Sequence, residues 1–321
     1  MSHIRYPFPA PDRFPFSGPE AKGILLALAA TLIWSVNFII CRGIADTVPP
    51  VCLSFLRWFT GFVCLLPFTL VSVVRQRRHF IQYWRYYVII GLVCVSLVNT
   101  LIYIAAHTVA ALNLSLIAAS SPLFVLILSR VFYHEPIVPR RMAGIAVVLA
   151  GICLLITRGD LGILLQLDFQ QGDLVMLAGA FFFALYTLIA RRQPAGVGQF
   201  TALTVIFGIG VLFLLPPLVC EARQVPAIHF TLPVVGMLLY LGIGASILGF
   251  WFWGKAIALI GPARTAAIYY SIPLFCGLEA VLFLGEAIFW FHIVSGVLIL
   301  GGLLAATMQG AAPFPYRANE H

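Results

Sequence analysis

Polar side chains recur at helical spacing inside the long apolar segments of this sequence. Ser96, Asn99, Tyr103 and His107 follow one another at steps of three and four residues, which places them on one face of a helix. In a bilayer, such a face either holds helices together or lines a water-filled pocket, because lipid offers no hydrogen bonds. The number of these groups favours a pocket. Its candidate binding residues are Trp34, Asn37, Arg57, Asn99, Tyr103, Asn113, Ser120, Tyr186, Trp253, Tyr269, Tyr270 and Ser271.

Two ionisable side chains, Arg57 and Glu279, fall well inside apolar segments. A charge at that depth costs roughly 2.5–3.5 kcal/mol or more unless it finds a partner or reaches the membrane surface. Three arrangements follow. Arg57 and Glu279 form an ion pair, or they face a solute as separate poles, or each extends its side chain to the outer interface. Glu279 is also the candidate for carrying a proton.

Two prolines and two glutamates lie at matching places in the chain. Pro122 and Pro273 each remove a backbone hydrogen bond, so we expect them to bend their helices at similar depths. The bend is either a static kink or a gating hinge. Glu135 and Glu286 each open a helix, where a carboxylate complements the helix dipole, so we favour capping over a coupling role.

The elements that must position these side chains are transmembrane helices. Of 321 residues, 62% are hydrophobic and 9% are charged, and the mean hydropathy of +1.03 excludes a water-soluble fold. Roughly 20 apolar residues cross about 30 Å of hydrocarbon as a helix, and uninterrupted runs do not fit alternating strands. The predicted spans are residues 23–44, 51–74, 86–106, 109–133, 140–158, 173–192, 199–219, 232–256, 262–284 and 287–308.

Charge and cysteine distribution narrow the interpretation further. The net charge of +8 comes from short basic segments between the spans, so it marks topology rather than nucleic-acid binding. Most Lys and Arg lie on one side, which predicts cytoplasmic termini, with tails at residues 1–21 and 309–321. The seven cysteines are scattered singly without a CxxC pair, so we expect no metal site and no cofactor.

The chain contains an internal repeat. The segment Ser120–Phe124 recurs 151 residues later as Ser271–Phe275, and a related offset of 149 residues applies earlier in the chain. The repeats cover residues 22–158 and 172–308. Each holds five predicted helices, an odd number, so the second copy should enter the membrane from the opposite side. Inverted repeats of this kind enclose a substrate site near mid-membrane and support alternating access.

On these residues the chain resembles the drug/metabolite transporter superfamily, specifically its EamA-type members with ten helices. The two Ser-x-Pro-Leu-Phe segments carry the resemblance, together with Trp34-Ser35 in the first helix and Arg57 early in the second. The resemblance implies an exporter of amino acids, other metabolites, vitamins or drugs. The aromatic-rich helices are similar to those of aromatic amino-acid exporters.

The sequence therefore predicts a secondary transporter, not an enzyme, that exports a small organic metabolite. Amino acids are the first candidates, with aromatic ones slightly favoured. The expected partners are a small-molecule substrate, membrane lipid and, if transport is coupled, protons. We expect a multi-pass protein of a bacterial plasma (inner) membrane. The remote alternatives are an ion channel, which needs rings of charge or a carbonyl filter, and an intramembrane lipid-modifying enzyme, which needs a catalytic cluster.

Overall fold

The computed structural model describes residues 18–133, 139–160, 170–190, 192–224, 230–260, 265 and 268–307, and its fold is all-α, as predicted. A short helix, Arg77–Gln82, connects the second main helix to the third. The main helices in chain order are α1 (Gly18–Gly43), α2 (Pro50–Arg75), α3 (Trp84–Ala106), α4 (Ala111–Ala118 and Ser121–Tyr133), α5 (Pro139–Ile156), α6 (Gln171–Ala190), α7 (Gln199–Ala222), α8 (Leu232–Leu239, Tyr240–Leu248 and Gly249–Ile260), α9 (Ile272–Glu279 and Ala280–Leu284) and α10 (Trp290–Thr307).

Most of these helices are long and apolar enough to span a bilayer. Seven of them in the described part of the chain meet that criterion, namely α1–α4 and α6–α8, while α5, α9 and α10 carry shorter apolar stretches. Large apolar side chains also remain exposed, among them Leu212 at 64%, Phe283 at 72% and Val297 at 67%. Lipid is the solvent that accepts such a surface without penalty. The protein is therefore a multi-pass membrane protein.

The helices lie close to the spans predicted from the sequence. In the ninth span, predicted from residue 262, residues 265 and 268–269 are helical, and a continuous helix begins at Ile272 after a turn at residues 270–271; residues 261–264 and 266–267 lie outside the described part of the chain. The predicted tails fall outside the described residues, apart from 18–21, which belong to α1.

Two helices contain a wider π-helical segment at matching places. Gly91–Val98 in α3 and Tyr240–Leu248 in α8 have π-helical hydrogen bonding, and their starting residues lie within two positions of the 151-residue offset that relates these helices. A π segment adds residues to the turn and so rotates the following side chains relative to a regular helix. The side chains after each segment consequently face directions that a 3.6-residue period does not predict.

Glycines allow close helix crossings between the two halves of the chain. A Cβ on Gly91 would lie 3.2 Å from the backbone nitrogen of Gly210, so α3 and α7 touch there through their backbones. A Cβ on Gly61 would lie 3.1 Å from the backbone oxygen of Gly242, where α2 meets α8. Close approach of this kind requires small residues. Gly61 is the repeat counterpart of Gly210, and Gly91 is the counterpart of Gly242. The two crossings are therefore equivalent contacts of the two repeats.

The repeat also relates the larger contacts between helices, since a contact in one half has an equivalent in the other. Helix α1 packs along α8, and its counterpart α6 packs along α3. Helices α2 and α7, which are counterparts, pack against each other, and so do α5 and α10. A cavity lies where α1, α2, α3, α4, α6, α8 and α9 come together.

Candidate substrate cavity

The guanidinium of Arg57 is the centre of a buried polar cluster. Arg57 lies on α2 with 3% of its surface exposed. Its Nη1 donates to Oδ1 of Asn37 at 2.7 Å and to Oδ1 of Asn99 at 2.9 Å. The same nitrogen lies 2.8 Å from the hydroxyl oxygen of Tyr103, and Nε donates to Oγ of Ser246 at 2.9 Å. Four helices, α1, α2, α3 and α8, therefore meet at this one side chain.

The partners of Arg57 are all neutral. Its Nη2 makes no hydrogen bond within the part of the chain that the structure describes. The indole ring of Trp58, whose centroid lies 4.8 Å from the guanidinium carbon, adds a cation–π contact. No carboxylate among the described residues neutralises the charge here. The cluster thus holds a buried cation in place by neutral contacts alone.

Glu279 lies elsewhere and does not pair with Arg57. Its Oε1 accepts a hydrogen bond from the hydroxyl of Ser35 at 2.8 Å, and its Oε2 is buried without a partner. Arg57 and Glu279 are 3% and 7% exposed, so neither reaches the surface. The ion pair and the surface-seeking arrangement are therefore absent from this structure. Of the remaining arrangement, two poles that face a solute, the structure shows only one, because Arg57 lines the cavity and Glu279 does not.

Arg57 lines a cavity of about 630 Å³, counting the part that opens to the outside. Its polar lining consists of Asn37, Arg57, Asn99 and Ser121, and its aromatic lining of Trp34, Phe38, Phe183, Phe250 and Tyr269; the rest is small or aliphatic, together with Cys94 and Met176. Arg57 is the one ionised side chain among the described residues of the lining. Concave sites with an apolar lining and few polar groups are typical of small-molecule binding.

The aromatic side of the cavity is held rigidly. The Nε1 of Trp34 donates to the backbone oxygen of Ala245 at 3.0 Å, within the π segment of α8. The rings of Phe183 and Tyr269 stack with centroids 5.7 Å apart. Trp253 packs against Trp34 at 5.2 Å and supports this wall from behind, since it does not line the cavity itself. The wall offers flat apolar surfaces in fixed orientations.

Counterpart residues of the two repeats both contribute to the lining of the cavity. Four pairs line it: Trp34 with Phe183, Asn99 with Phe250, Ala118 with Tyr269, and Ser121 with Ile272. The first repeat contributes the smaller residue in the pairs of Ala118 and Ser121. It alone contributes a polar residue in the pairs of Asn99 and Ser121. The cavity therefore lies between the repeats but is chemically one-sided, with its polar groups mostly in the first repeat.

The helical segments beside Pro122 and Pro273 are interrupted rather than kinked. Helix α4 is interrupted at residues 119–120, and a turn at residues 270–271 precedes the continuous part of α9. Pro122 and Pro273 each occupy the second position of the helix that follows, where a missing N–H leaves no hydrogen bond unmade. The sequence predicted that these prolines bend continuous helices, whereas the structure shows the helical segments interrupted beside them. A hinge role for either proline stays a prediction.

Glu286 is a helix cap, but not of its own helix. Its carboxylate accepts hydrogen bonds from the backbone N–H groups of Ala111 at 2.8 Å and Leu112 at 3.3 Å, at the first turn of α4. Glu221 does the same for Val51 and Cys52 at the first turn of α2. Both carboxylates come from the second repeat and hold a helix of the first. Glu135 lies outside the described residues.

The structure brings together five of the predicted binding residues on the cavity surface. These are Trp34, Asn37, Arg57, Asn99 and Tyr269. Tyr103 lies behind Arg57, and Trp253 and Tyr186 lie behind the aromatic wall.

The other predicted binding residues do not line the cavity. The Ser120 hydroxyl donates to the backbone oxygen of Ile117, and the Ser271 hydroxyl donates to Oγ1 of Thr31 at 2.9 Å. Asn113 has a buried Oδ1 without a partner, and Tyr270 is buried in the apolar core. Each of these side chains fits the alternative that polar groups hold helices together, because it contacts other parts of the protein rather than the cavity.

Sequence reasoning missed several residues of the site. Phe183 and Phe250 are the repeat counterparts of Trp34 and Asn99, so the offset that revealed the repeat could have found them. No comparable signal marked Ser246. The predicted polar stripe on α3 also splits, since Ser96 donates to the backbone oxygen of Gly210 on α7 while Asn99 faces Arg57. Ser96 lies inside the π segment and Asn99 directly after it, so the two side chains do not follow the regular helical period.

Known proteins share both the sequence pattern and the fold. An "Uncharacterized transporter" of Archaeoglobus fulgidus is 26% identical over 90% of this chain and 99% of its own length. A "Probable amino-acid metabolite efflux pump" of Salmonella typhimurium is 23% identical, covering 88% and 93%. A "Probable terminal-alkyne amino-acid exporter" of Streptantibioticus cattleyicolor is 28% identical, covering 59% and 62%.

One solved crystal structure has the same fold, with a TM-score of 0.60 and 21% identity over 90% of this chain and 97% of the other. Residues 21–157 and, separately, residues 170–308 match the EamA-like transporter family. Two matches in one chain agree with the repeat read from the sequence. The chain belongs to the EamA-like transporter family.

Proposed function

We propose that this protein is a secondary transporter that exports small organic metabolites, with amino acids first and aromatic ones slightly favoured. The observation that carries the proposal is the buried guanidinium of Arg57, held by neutral partners at the edge of a cavity between the repeats. A cation that the protein leaves without a counter-ion in the membrane favours an anionic ligand. A substrate carboxylate would supply that charge.

The shape of the cavity supports an amino acid with a flat side chain. A carboxylate bound to the free Nη2 of Arg57 would form a charge-assisted hydrogen bond, the strongest kind that this lining offers. The rest of the molecule would then contact the wall of Trp34, Phe183 and Tyr269. Two of the relatives carry names that describe export of amino acids or their metabolites.

Alternating access between two inverted repeats is the mechanism we propose. The glycine crossing Gly91–Gly210 and its counterpart Gly61–Gly242 support it, because exchanging the repeats turns one contact into the other. Such a pseudo-symmetric pair can open on one side while it closes on the other. The positive-inside rule supports cytoplasmic termini in a bacterial inner membrane.

The energy source in this proposal is the substrate gradient or proton exchange. The sequence contains no Walker A loop that would bind ATP phosphates. Glu279 is the candidate proton carrier, since its carboxyl is buried, holds one hydrogen bond from Ser35 and leaves Oε2 unpaired. Its helix and that of Ser35 belong to different repeats, so a change in its charge would act on their interface.

A reconstituted flux screen tests the proposal. Purified protein in liposomes would be given amino acids, other metabolites and vitamins, with and without a pH gradient. We expect saturable flux of at least one aromatic amino acid, with loss of that flux in Arg57→Gln. The control is Arg77→Gln, which removes an exposed arginine from the short helix Arg77–Gln82. Non-saturating ion flux would indicate a channel, and saturable flux of solutes that lack a carboxylate would refute the role of Arg57.

A further inference from the structure

We propose that the cavity recognises the carboxylate of its substrate and not the amino group, so that deaminated aromatic acids bind at least as well as the amino acids themselves. This inference rests on the proposed function and narrows its substrate class to aromatic and apolar monocarboxylates. It follows from the charges and hydrogen-bonding groups that line the cavity.

The charge in the lining is of one sign. Arg57 supplies a positive charge, and no carboxylate of the described chain lines the cavity. Glu279 is engaged with Ser35, and neither residue belongs to the lining. A substrate ammonium in this space would therefore meet a guanidinium and no counter-ion. Like charges in a medium of low dielectric repel one another strongly.

The neutral polar groups do not replace the missing acid. The Oδ1 atoms of both Asn37 and Asn99 accept from Nη1 of Arg57, and Nδ2 of Asn99 donates to the backbone oxygen of Cys94 at 3.3 Å. The amide oxygens of the cluster are thus turned toward the guanidinium. The groups of the cluster that remain available to the cavity are hydrogen-bond donors, which suit an anion.

Among the side chains of the described lining, two hydroxyls remain as possible acceptors, and both are weak ones. The hydroxyl of Ser121 donates to the backbone oxygen of Ala118, which leaves its lone pairs, and Tyr269 presents a phenolic oxygen. Neither carries charge. An ammonium normally needs several acceptors or an acid to replace its hydration. Removing the amino group should then cost the ligand little and relieve its repulsion by Arg57.

The test uses three ligands that share one phenyl ring and differ in their charged groups: phenylalanine, 3-phenylpropanoate and phenethylamine. Equilibrium binding to the purified full-length protein avoids the leak of weak acids through liposomes. We expect 3-phenylpropanoate to bind as tightly as phenylalanine or more tightly, and phenethylamine to bind at least about tenfold more weakly. Arg57→Gln should weaken both acids by about tenfold or more, whereas Arg77→Gln should change neither.

The outcomes separate this inference from the function it rests on. If phenylalanine binds tenfold more tightly than 3-phenylpropanoate, the cavity recognises the ammonium and this inference fails, while amino-acid transport stands. If phenethylamine binds as well as the acids, the carboxylate is not recognised and the inference also fails. If neither acid binds, both this inference and the proposed amino-acid substrate fail. Retained acid binding in Arg57→Gln would overturn the role of the guanidinium.

Discussion

The hydroxyl of Ser35 on α1 lies 2.8 Å from Oε1 of Glu279 on α9, and the other oxygen of that carboxyl is buried without a partner. The hydroxyl of Ser35 also lies 2.8 Å from the backbone oxygen of Leu32. A hydroxyl has one hydrogen, so it can serve only one of these two acceptors at a time. An ionised Glu279 accepts this hydrogen more strongly than a protonated one does. The contact joins helices of the two repeats, so a proton on Glu279 bears on their interface.

Replacing Glu279 by glutamine tests this contact. Glutamine keeps the shape and can still accept a hydrogen bond from Ser35, but it cannot release a proton. If Glu279 couples protons to transport, Glu279→Gln should abolish the pH dependence of flux in liposomes, whereas Glu221→Gln, which changes a carboxylate outside the cavity, should keep it. An unchanged pH dependence in Glu279→Gln would remove this residue from coupling.

Exchanging the charges of Arg57 and Glu279 should not restore transport. Arg57→Glu and Glu279→Arg each place a charge among partners that do not suit it, and we expect both to lose flux. Because the two wild-type side chains do not touch, the double variant gains no ion pair and should stay as inactive as the singles. Size-exclusion profiles would show which variants fold. Recovery of flux in the double variant would contradict this geometry.

Removing the hydroxyl of Tyr103 should have a small effect on binding. Nη1 of Arg57 carries two hydrogens, and Asn37 and Asn99 remain as acceptors for both of them in Tyr103→Phe. A hydrogen bond to a charged group contributes about 1.5–3 kcal/mol, but no N–H of Nη1 loses its last acceptor in this variant. We expect a KM within about tenfold of wild type, measured in the flux assay. Loss as complete as in Arg57→Gln would mean that Tyr103 contacts the substrate.

Glu286→Gln should lower thermal stability. The carboxylate of Glu286 accepts from two backbone N–H groups at the first turn of α4, and a carboxylate at a helix N-terminus stabilises it by roughly 0.5–2 kcal/mol. Glutamine can keep one of these hydrogen bonds but loses the charge, and alanine loses both. Melting temperatures in detergent should fall in the order wild type, glutamine, alanine. Equal values for all three would refute the cap.

Gly210→Ala should destabilise the crossing of α3 and α7. An added Cβ would overlap the side chain of Val95 and lie 2.9 Å from the backbone oxygen of Gly91. Overpacking of this kind costs about 1–3 kcal/mol. The matched control is Gly236→Ala on α8, where an added Cβ meets nothing within 4 Å. We expect a lower melting temperature and yield for the first variant only, and wild-type behaviour of Gly210→Ala would argue against a close crossing.

The sequence by itself determined the membrane fold and the repeat. Hydropathy is a local property, so the spans could be placed from composition in windows of about 20 residues. The repeat offset placed Pro122 and Pro273 at matching positions, where the sequence predicted bends and the structure shows interruptions. Arg57 was also identified from the sequence, because an arginine within an apolar segment carries a large free-energy cost in the membrane and so indicates a function.

Only the tertiary structure decided which polar groups meet. The π segments in α3 and α8 rotate the side chains that follow them, so Asn99 faces Arg57 while Ser96 faces α7. The partner of Glu279 proved to be Ser35, and Glu286 caps a helix 175 residues earlier in the chain. Contacts between distant helices depend on their rotation and crossing. One added residue turns a helix face by about 100°, and the sequence period does not reveal that rotation.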